Sequence, residues 1–198
     1  VLGLRKARLD VAPTTAYLMC GQKCARSCAF CSQSLDANGR DDLLSRVTWS
    51  DFGSAETARR IASAYDNREI ERACIQVVLE PHVMARVVDI IKLIKTQIDI
   101  PLCVSANGSL DDVHALFAAG ADRVSIPLDA ACERVFREVK GPDWVRTWSL
   151  LHDCASLYTG RVGTHLIVGL GEDDGEMLHV VSQVLSRGIT VADRKSTR

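Results

Sequence analysis

Thr14-Thr15-Ala16-Tyr17-Leu18-Met19 runs directly into Cys20-Gly21-Gln22-Lys23-Cys24-Ala25-Arg26-Ser27-Cys28-Ala29-Phe30-Cys31, a β-prone segment followed by a cysteine-rich loop. Its β-branched and aromatic residues predict a strand over 14–19. Cys24, Cys28 and Cys31 form a C-x3-C-x2-C pattern with Phe30 just before the last thiol. Three thiolates in so short a loop suit three corners of a four-iron four-sulfur cluster and leave the fourth iron open to a small ligand. The competing reading is a structural zinc site with Cys20 as fourth thiolate. Zinc sites usually pair knuckles from separated segments, whereas these thiols share one loop, so the spacing favours iron and sulfur.

Outward from that loop the pattern alternates. Ser50 or Asp51 can cap a helix reaching about Tyr65, with Ala55, Ala58, Ile61 and Ala62 on one side. Residues 73–79 form an apolar run of buried-strand type, and Val83, Val87, Ile90, Ile91 and Ile94 make a helical stripe. A third strand is predicted over 101–106, and Ser109 with Asp112 resembles a capping box opening a helix that stops at Gly120. Strands over 123–128, 162–170 and 189–191 follow. They are separated by a helical region interrupted at Gly141-Pro142 and by a helix over 173–187. Strands alternating with helices on short connections imply an α/β fold with a parallel sheet and right-handed crossovers. A doubly wound sheet and a (β/α) barrel both satisfy that order, and only the site separates them.

Bulk composition narrows the function. The chain has 198 residues, is 47% hydrophobic and carries a formal net charge of -1, which suits one domain with a substantial core. Its charges are scattered, so neither a nucleic-acid-binding stripe nor a basic membrane-surface helix is expected. No apolar run approaches the roughly 18 residues of a spanning helix, and Val1-Leu2-Gly3-Leu4-Arg5-Lys6 lacks a secretion signal's apolar stretch; a cytoplasmic protein without a membrane partner is expected. Eight cysteines in such a setting read as metal or redox ligands rather than disulfides. The chain lacks an initiator Met, and residues 193–198 (DRKSTR) match a peptide encoded by a common sequencing adapter. Residues 193–198 are therefore expected to be a scar, and 1–192 the core domain, incomplete at its C-terminus.

Residues 24–33 (CARSCAFCSQ), 122–129 (DRVSIPLD) and 162–172 (VGTHLIVGLGE) together make the sequence resemble the radical S-adenosylmethionine superfamily, within it the biotin-synthase-like branch. The resemblance extends from about Thr14 to Ala192 and implies a (β/α) barrel cut short in or near its sixth strand. It also implies a four-iron four-sulfur cluster on Cys24, Cys28 and Cys31. The unligated iron of that cluster chelates S-adenosylmethionine, which is cleaved to a 5′-deoxyadenosyl radical. By the same resemblance Phe30 lies beside the adenine and Asp129 binds the ribose hydroxyls. Gly169 and Gly171 let backbone approach the adenine, and Glu80 ends the segment that receives the methionyl amine. Family members often have two glycines where Val78 and Leu79 stand, so Glu80-Pro81 also reads as a plain helix start. Asp129 has a second reading as N-cap of a helix from Ala130. Gly169 and Gly171 have one as a tight turn, and Glu172 reads as an electrostatic helix cap.

Strand parity gives a check on the site that is independent of the resemblance. Cys74, Gln76, Val78 and Glu80 share one face, as do Cys103, Ser105 and Asn107, then Ser125, Pro127 and Asp129, then Gly163, His165, Ile167 and Gly169. Polar groups concentrated on one side of apolar strands are expected to line a barrel mouth. Cys74 and Cys103 fall where biotin synthase has ligands of a second cluster, but Gly163 stands at the third such place and Pro127 where that enzyme binds substrate through Asn. One cluster is therefore expected, with Cys74 and Cys103 otherwise small buried hydrophobes. His165 stays open between ligand, substrate contact and core histidine. Lys140 and Arg146 read as solvated charges within reach of a methionine carboxylate.

The resemblance implies a radical enzyme acting on a small-molecule or carrier-bound substrate with an electron-donor protein. Sulfur insertion of the biotin or lipoyl type is favoured, the latter with a second radical subunit as partner. Rearrangement or metallocofactor maturation is the alternative, and a zinc-stabilised binding module is the rival from another class.

Overall fold

The computed structural model describes Leu2 and residues 13–38, 40, 42–44, 47–48 and 50–195. After strand β1 (Thr15–Cys20) and the cysteine loop come two short strands, β2 (Leu43–Leu44) and β3 (Val47–Thr48), which pair antiparallel. The remaining order is α1 (Ser54–Asp66), β4 (Arg72–Val77), α2 (Val83–Lys95), β5 (Leu102–Ser105), α3 (Leu110–Ala119) and β6 (Arg123–Ser125). It ends with α4 (Glu133–Lys140), α5 (Trp144–Leu157), β7 (Val162–Val168), α6 (Asp174–Leu185) and β8 (Thr190–Lys195). The main sheet has six strands, all parallel, in the order β1-β4-β5-β6-β7-β8, and it is open: a partial barrel rather than a closed one.

The expected elements form for the expected reasons. Ser109 and Asp112 close a full capping box on α3, with Asp112 N–H donating to Ser109 Oγ at 3.1 Å and Ser109 N–H to Asp112 Oδ2 at 2.7 Å. Gly120 ends that helix at φ 113, a conformation that spares glycine the Cβ clash. Gly141-Pro142 does break the helical region, into α4 and α5. Two expectations need correction. Helix α1 is entered through Gly53 without a side-chain cap, so neither Ser50 nor Asp51 caps it. The sixth sheet strand runs to Lys195, and its backbone pairs residues 190–195 with 163–168 of β7.

Burial separates the faces of the sheet. Ala73, Ile75, Leu102, Val104 and Val124 are buried against the helices, together with Val87, Ile91, Ile94, Leu116 and Leu151. Cys74, Gln76 and Cys103, one residue out of phase, are only half-buried on the other side. The helix-facing side thus holds the core, and the opposite side is the lined face expected from strand parity. Among the described residues no helix is long and apolar enough to cross a membrane.

Candidate active site at the C-terminal edge of the sheet

Parallel strands bring all their C-terminal ends to one edge, where α/β folds place their chemistry. The cysteine loop leaves β1 at that edge and crosses over the end of β4. Gly21 makes the crossing possible: its φ is 104, and a Cβ there would stand 2.4 Å from the Val78 carbonyl oxygen. On either side Val78 N–H donates to Cys20 O at 2.8 Å and Ala25 N–H to Leu79 O at 2.7 Å. Glu80 completes this attachment, accepting from Gln22 N–H at 2.9 Å and pairing with Arg86. Desolvation pushes its carboxyl up, but the Gln22 N–H and the Arg86 guanidinium outweigh it and hold Glu80 below the usual range. The far side of the loop docks on the α4–α5 junction, through Ala29 N–H to Val139 O at 2.8 Å and Arg26 to Asp143 at 3.1 Å.

Clasped in this way, Cys24, Cys28 and Cys31 are all half-buried and unpaired by disulfides. Burial pushes the Cys28 thiol up to about 11 against the pull of the Lys140 cation, and burial raises Cys31 as well. Cys28 also feels charge on Cys24 and Cys31, and Cys31 feels charge on Cys24, so the loop gathers the three within electrostatic range. Among the described residues no three Cys, His, Asp or Glu side chains already form a closed metal cage. The donor set itself, three thiols and no carboxylate or imidazole from the same loop, fits a cluster that takes three cysteine ligands. Such thiols must release their protons to bind iron. Cys20 is buried in the core with Ala16, on the helix-facing side of β1, and burial raises its thiol too. Phe30 is 36% exposed beside the thiols.

Asp129 and Lys140 are where sequence reasoning needed the structure most. Asp129 is not a helix cap: α4 starts at Glu133 behind Cys132. It sits instead at φ 66 in an isolated bridge to Leu166, its N–H donating to His165 O and its carbonyl accepting from Ile167 N–H, both at 2.8 Å. Lys140 is not solvated. Its side chain is 3% exposed, donates to Asp129 Oδ2 at 2.8 Å and to Pro127 O at 2.7 Å, and lies over the Phe136 ring. Burial of a lysine is tolerated because both the charge and the donors are met.

The turn after β7 has Gly169 at φ 92 and Gly171 at φ 122, and added Cβ atoms would meet nothing within 4 Å at either, so the turn is open on its outer side. Glu172 does not cap α6. It accepts from Leu170 N–H at 2.9 Å and from Gly169 N–H, and although desolvation opposes, these amides hold its carboxyl low. The helix cap is Asp173, in a capping box with Glu176, and Arg134 ties that box and the Gly171 carbonyl to α4.

On the lined face Cys74 and Cys103 are register partners on neighbouring strands. The Cys74 thiol beside it, with burial, pushes Cys103 well above the usual thiol range. Gly163 pairs with Ser125, and an added Cβ would lie 2.9 Å from Ser125 Oγ, so the third position holds no room for a cysteine without displacing that serine. His165 Nδ1 lies 3.5 Å from Ser105 Oγ, both buried. Gly21, Arg26 and the Lys140–Asp129 pair escaped the sequence reading. A glycine directly after a strand was the available signal for the first, and nothing local signals the other two.

An open, all-parallel sheet with a three-thiol loop clasped at the C-terminal edge of its strands defines an α/β partial barrel with a donor set suited to a cysteine-ligated cluster. The chain belongs to the radical SAM superfamily, whose family pattern matches residues 18–184. It is similar to lipoyl synthase of Buchnera aphidicola subsp. Schizaphis graminum (strain Sg), at 23% identity over 90% of this chain and 55% of that protein. In structure it is similar to the FeFe-hydrogenase maturase HydG from Carboxydothermus hydrogenoformans, with TM-score 0.71, 20% identity, and coverage of 93% of this chain and 44% of that one. Methylornithine synthase (PylB) is similar at TM-score 0.69 and 12% identity, covering 94% of this chain and 54% of that one. The chain thus spans about half the length of these relatives.

Proposed function

We propose that Cys24, Cys28 and Cys31 hold a four-iron four-sulfur cluster at which S-adenosylmethionine is reductively cleaved, in the service of sulfur insertion during cofactor biosynthesis. The carrying observation is the three-thiol loop, clasped between the end of β4 and the α4–α5 junction at the C-terminal edge of the sheet. When bound, the cluster and S-adenosylmethionine supply an electron and a 5′-deoxyadenosyl radical. The protein's own share is positioning. Lys140 engages Oδ2 of Asp129, which leaves Oδ1 to receive a ribose hydroxyl. Gly169 and Gly171 present backbone to the adenine on the open side of their turn, with Phe30 beside it. Glu80 serves the cofactor through the loop, holding Gln22 and the end of β4 together. The half-buried lined face receives the substrate, small or carrier-bound, and an electron-donor protein reduces the cluster. The likeness to lipoyl synthase supports sulfur insertion.

Anaerobic reconstitution with iron and sulfide tests the first part. A brown protein with a broad visible band that forms 5′-deoxyadenosine is expected; a colourless, zinc-loaded protein would support a non-catalytic module instead. Cys24→Ala, Cys28→Ala or Cys31→Ala should each abolish 5′-deoxyadenosine formation, whereas Cys132→Ala and Cys154→Ala should retain it. Labelled sulfide followed into a lipoyl or biotin precursor tests the sulfur step, and absence of label from every product would sink it.

A further inference from the structure

Among the described residues Lys140 is the only buried lysine or arginine. Its partner Asp129 is nearly as secluded, with side-chain exposures of 3% and 13%. A buried ion pair is weak evidence for stability, because a well-packed apolar pair of similar volume is often as stable or more so. Its placement is more telling. Val139, the neighbour of Lys140, accepts the Ala29 N–H from inside the cysteine motif, at 2.8 Å. The pair therefore lies immediately behind the loop, where water screens it little. Ala29 follows Cys28 directly, so one backbone hydrogen bond joins the segment that carries the thiols to the helix that carries the ammonium.

We infer that Lys140 and Asp129 are positioning residues for the loop's cluster, two opposite buried charges whose fields push its reduction potential in opposite directions and largely cancel. The inference rests on the cluster assignment proposed above. Reduction adds negative charge to the cluster, so a nearby cation favours it and a nearby anion opposes it. Asp129 anchors the arrangement through its backbone bridge to β7, and the Pro127 carbonyl fixes the ammonium, so neither charge can swing away.

The test is a redox titration of the reconstituted full chain, followed by electron paramagnetic resonance without S-adenosylmethionine, for wild type, Lys140→Met, Asp129→Asn, the double variant and Lys140→Arg. Lys140→Met should lower the equilibrium for one-electron reduction about tenfold, which is about 59 mV toward negative potential. Asp129→Asn should shift it the other way, the double variant should return close to wild type, and Lys140→Arg should stay there. A merely structural pair would give single variants that move together or lose iron together. Single shifts of the same sign, or no shift in variants that retain about four irons, would overturn the inference. Should Lys140→Met lose its iron, Asp129→Asn against the double variant decides: the double variant must lie more negative. A wild type that takes up no iron would instead refute the cluster assignment itself, and this inference with it.

Discussion

Replacing Gly21 by Ala is the sharpest perturbation of the loop that carries the site. Alanine at the φ of 104 observed here carries a backbone strain of about 1–3 kcal/mol. The new methyl would also stand 2.4 Å from the Val78 carbonyl oxygen, so the loop must lift from β4. Lifting breaks the hydrogen bonds Val78 N–H to Cys20 O and Ala25 N–H to Leu79 O, 2.8 and 2.7 Å long. Each of those contributes about 1 kcal/mol net, so releasing the loop to relieve the strain and the clash costs about 2 kcal/mol. That is a large fraction of a domain's whole stability, so local release of the loop should precede global unfolding. Urea denaturation followed by circular dichroism, with iron content after reconstitution, measures both. Gly21→Ala should lower the midpoint and lose most of its iron. Gly53→Ala, where an added Cβ meets nothing within 4 Å, should cost about 0.5–1.5 kcal/mol through loss of a glycine N-cap on α1, and should keep its iron. A Gly21→Ala protein with wild-type midpoint and full iron would refute the close-approach argument.

Three further outcomes are expected. Asp129→Asn should weaken S-adenosylmethionine binding by about 1–3 kcal/mol in equilibrium dialysis while retaining the cluster, and unchanged affinity would remove the ribose role. Glu80 has a carboxyl held below its usual value in the folded chain, so its stabilisation is present at neutral pH and is lost as pH falls through that folded value. Glu80→Gln should therefore be less stable than wild type at neutral pH, with the gap closing in acid; parallel curves would contradict the assignment. Iron and labile sulfide should count about four per chain, with no fall in a Cys74→Ala, Cys103→Ala double variant; a wild type with about six to eight that falls to four would establish a second cluster.

The periodicities of the chain carried most of the architecture. The run 73–79, the stripe from Val83 to Ile94 and the Ser109–Asp112 box are local patterns, and each became the strand or helix it described because hydrophobic period and capping chemistry act over a few residues. The C-x3-C-x2-C loop was legible for the same reason, its three thiols being neighbours in sequence. Parity likewise separated the half-buried Cys74, Gln76 and Cys103 from the core, since alternation is built into a strand, whereas in β7 residues 162–167 are buried on both faces. What local pattern could not supply were relations between residues far apart in the chain. Asp129 read as a ribose ligand or a helix cap, and Lys140 as surface charge, until the return of α4 brought the ammonium onto the carboxylate. Glu172 looked like a cap until the β7 turn folded its own amides onto it. Glu80 met Gln22 only because β1 and β4 are paired in parallel, ending at the same edge. A charge reports its partner only when the backbone has placed both, and burial, which decides what that partnership costs, belongs to the packed chain as a whole.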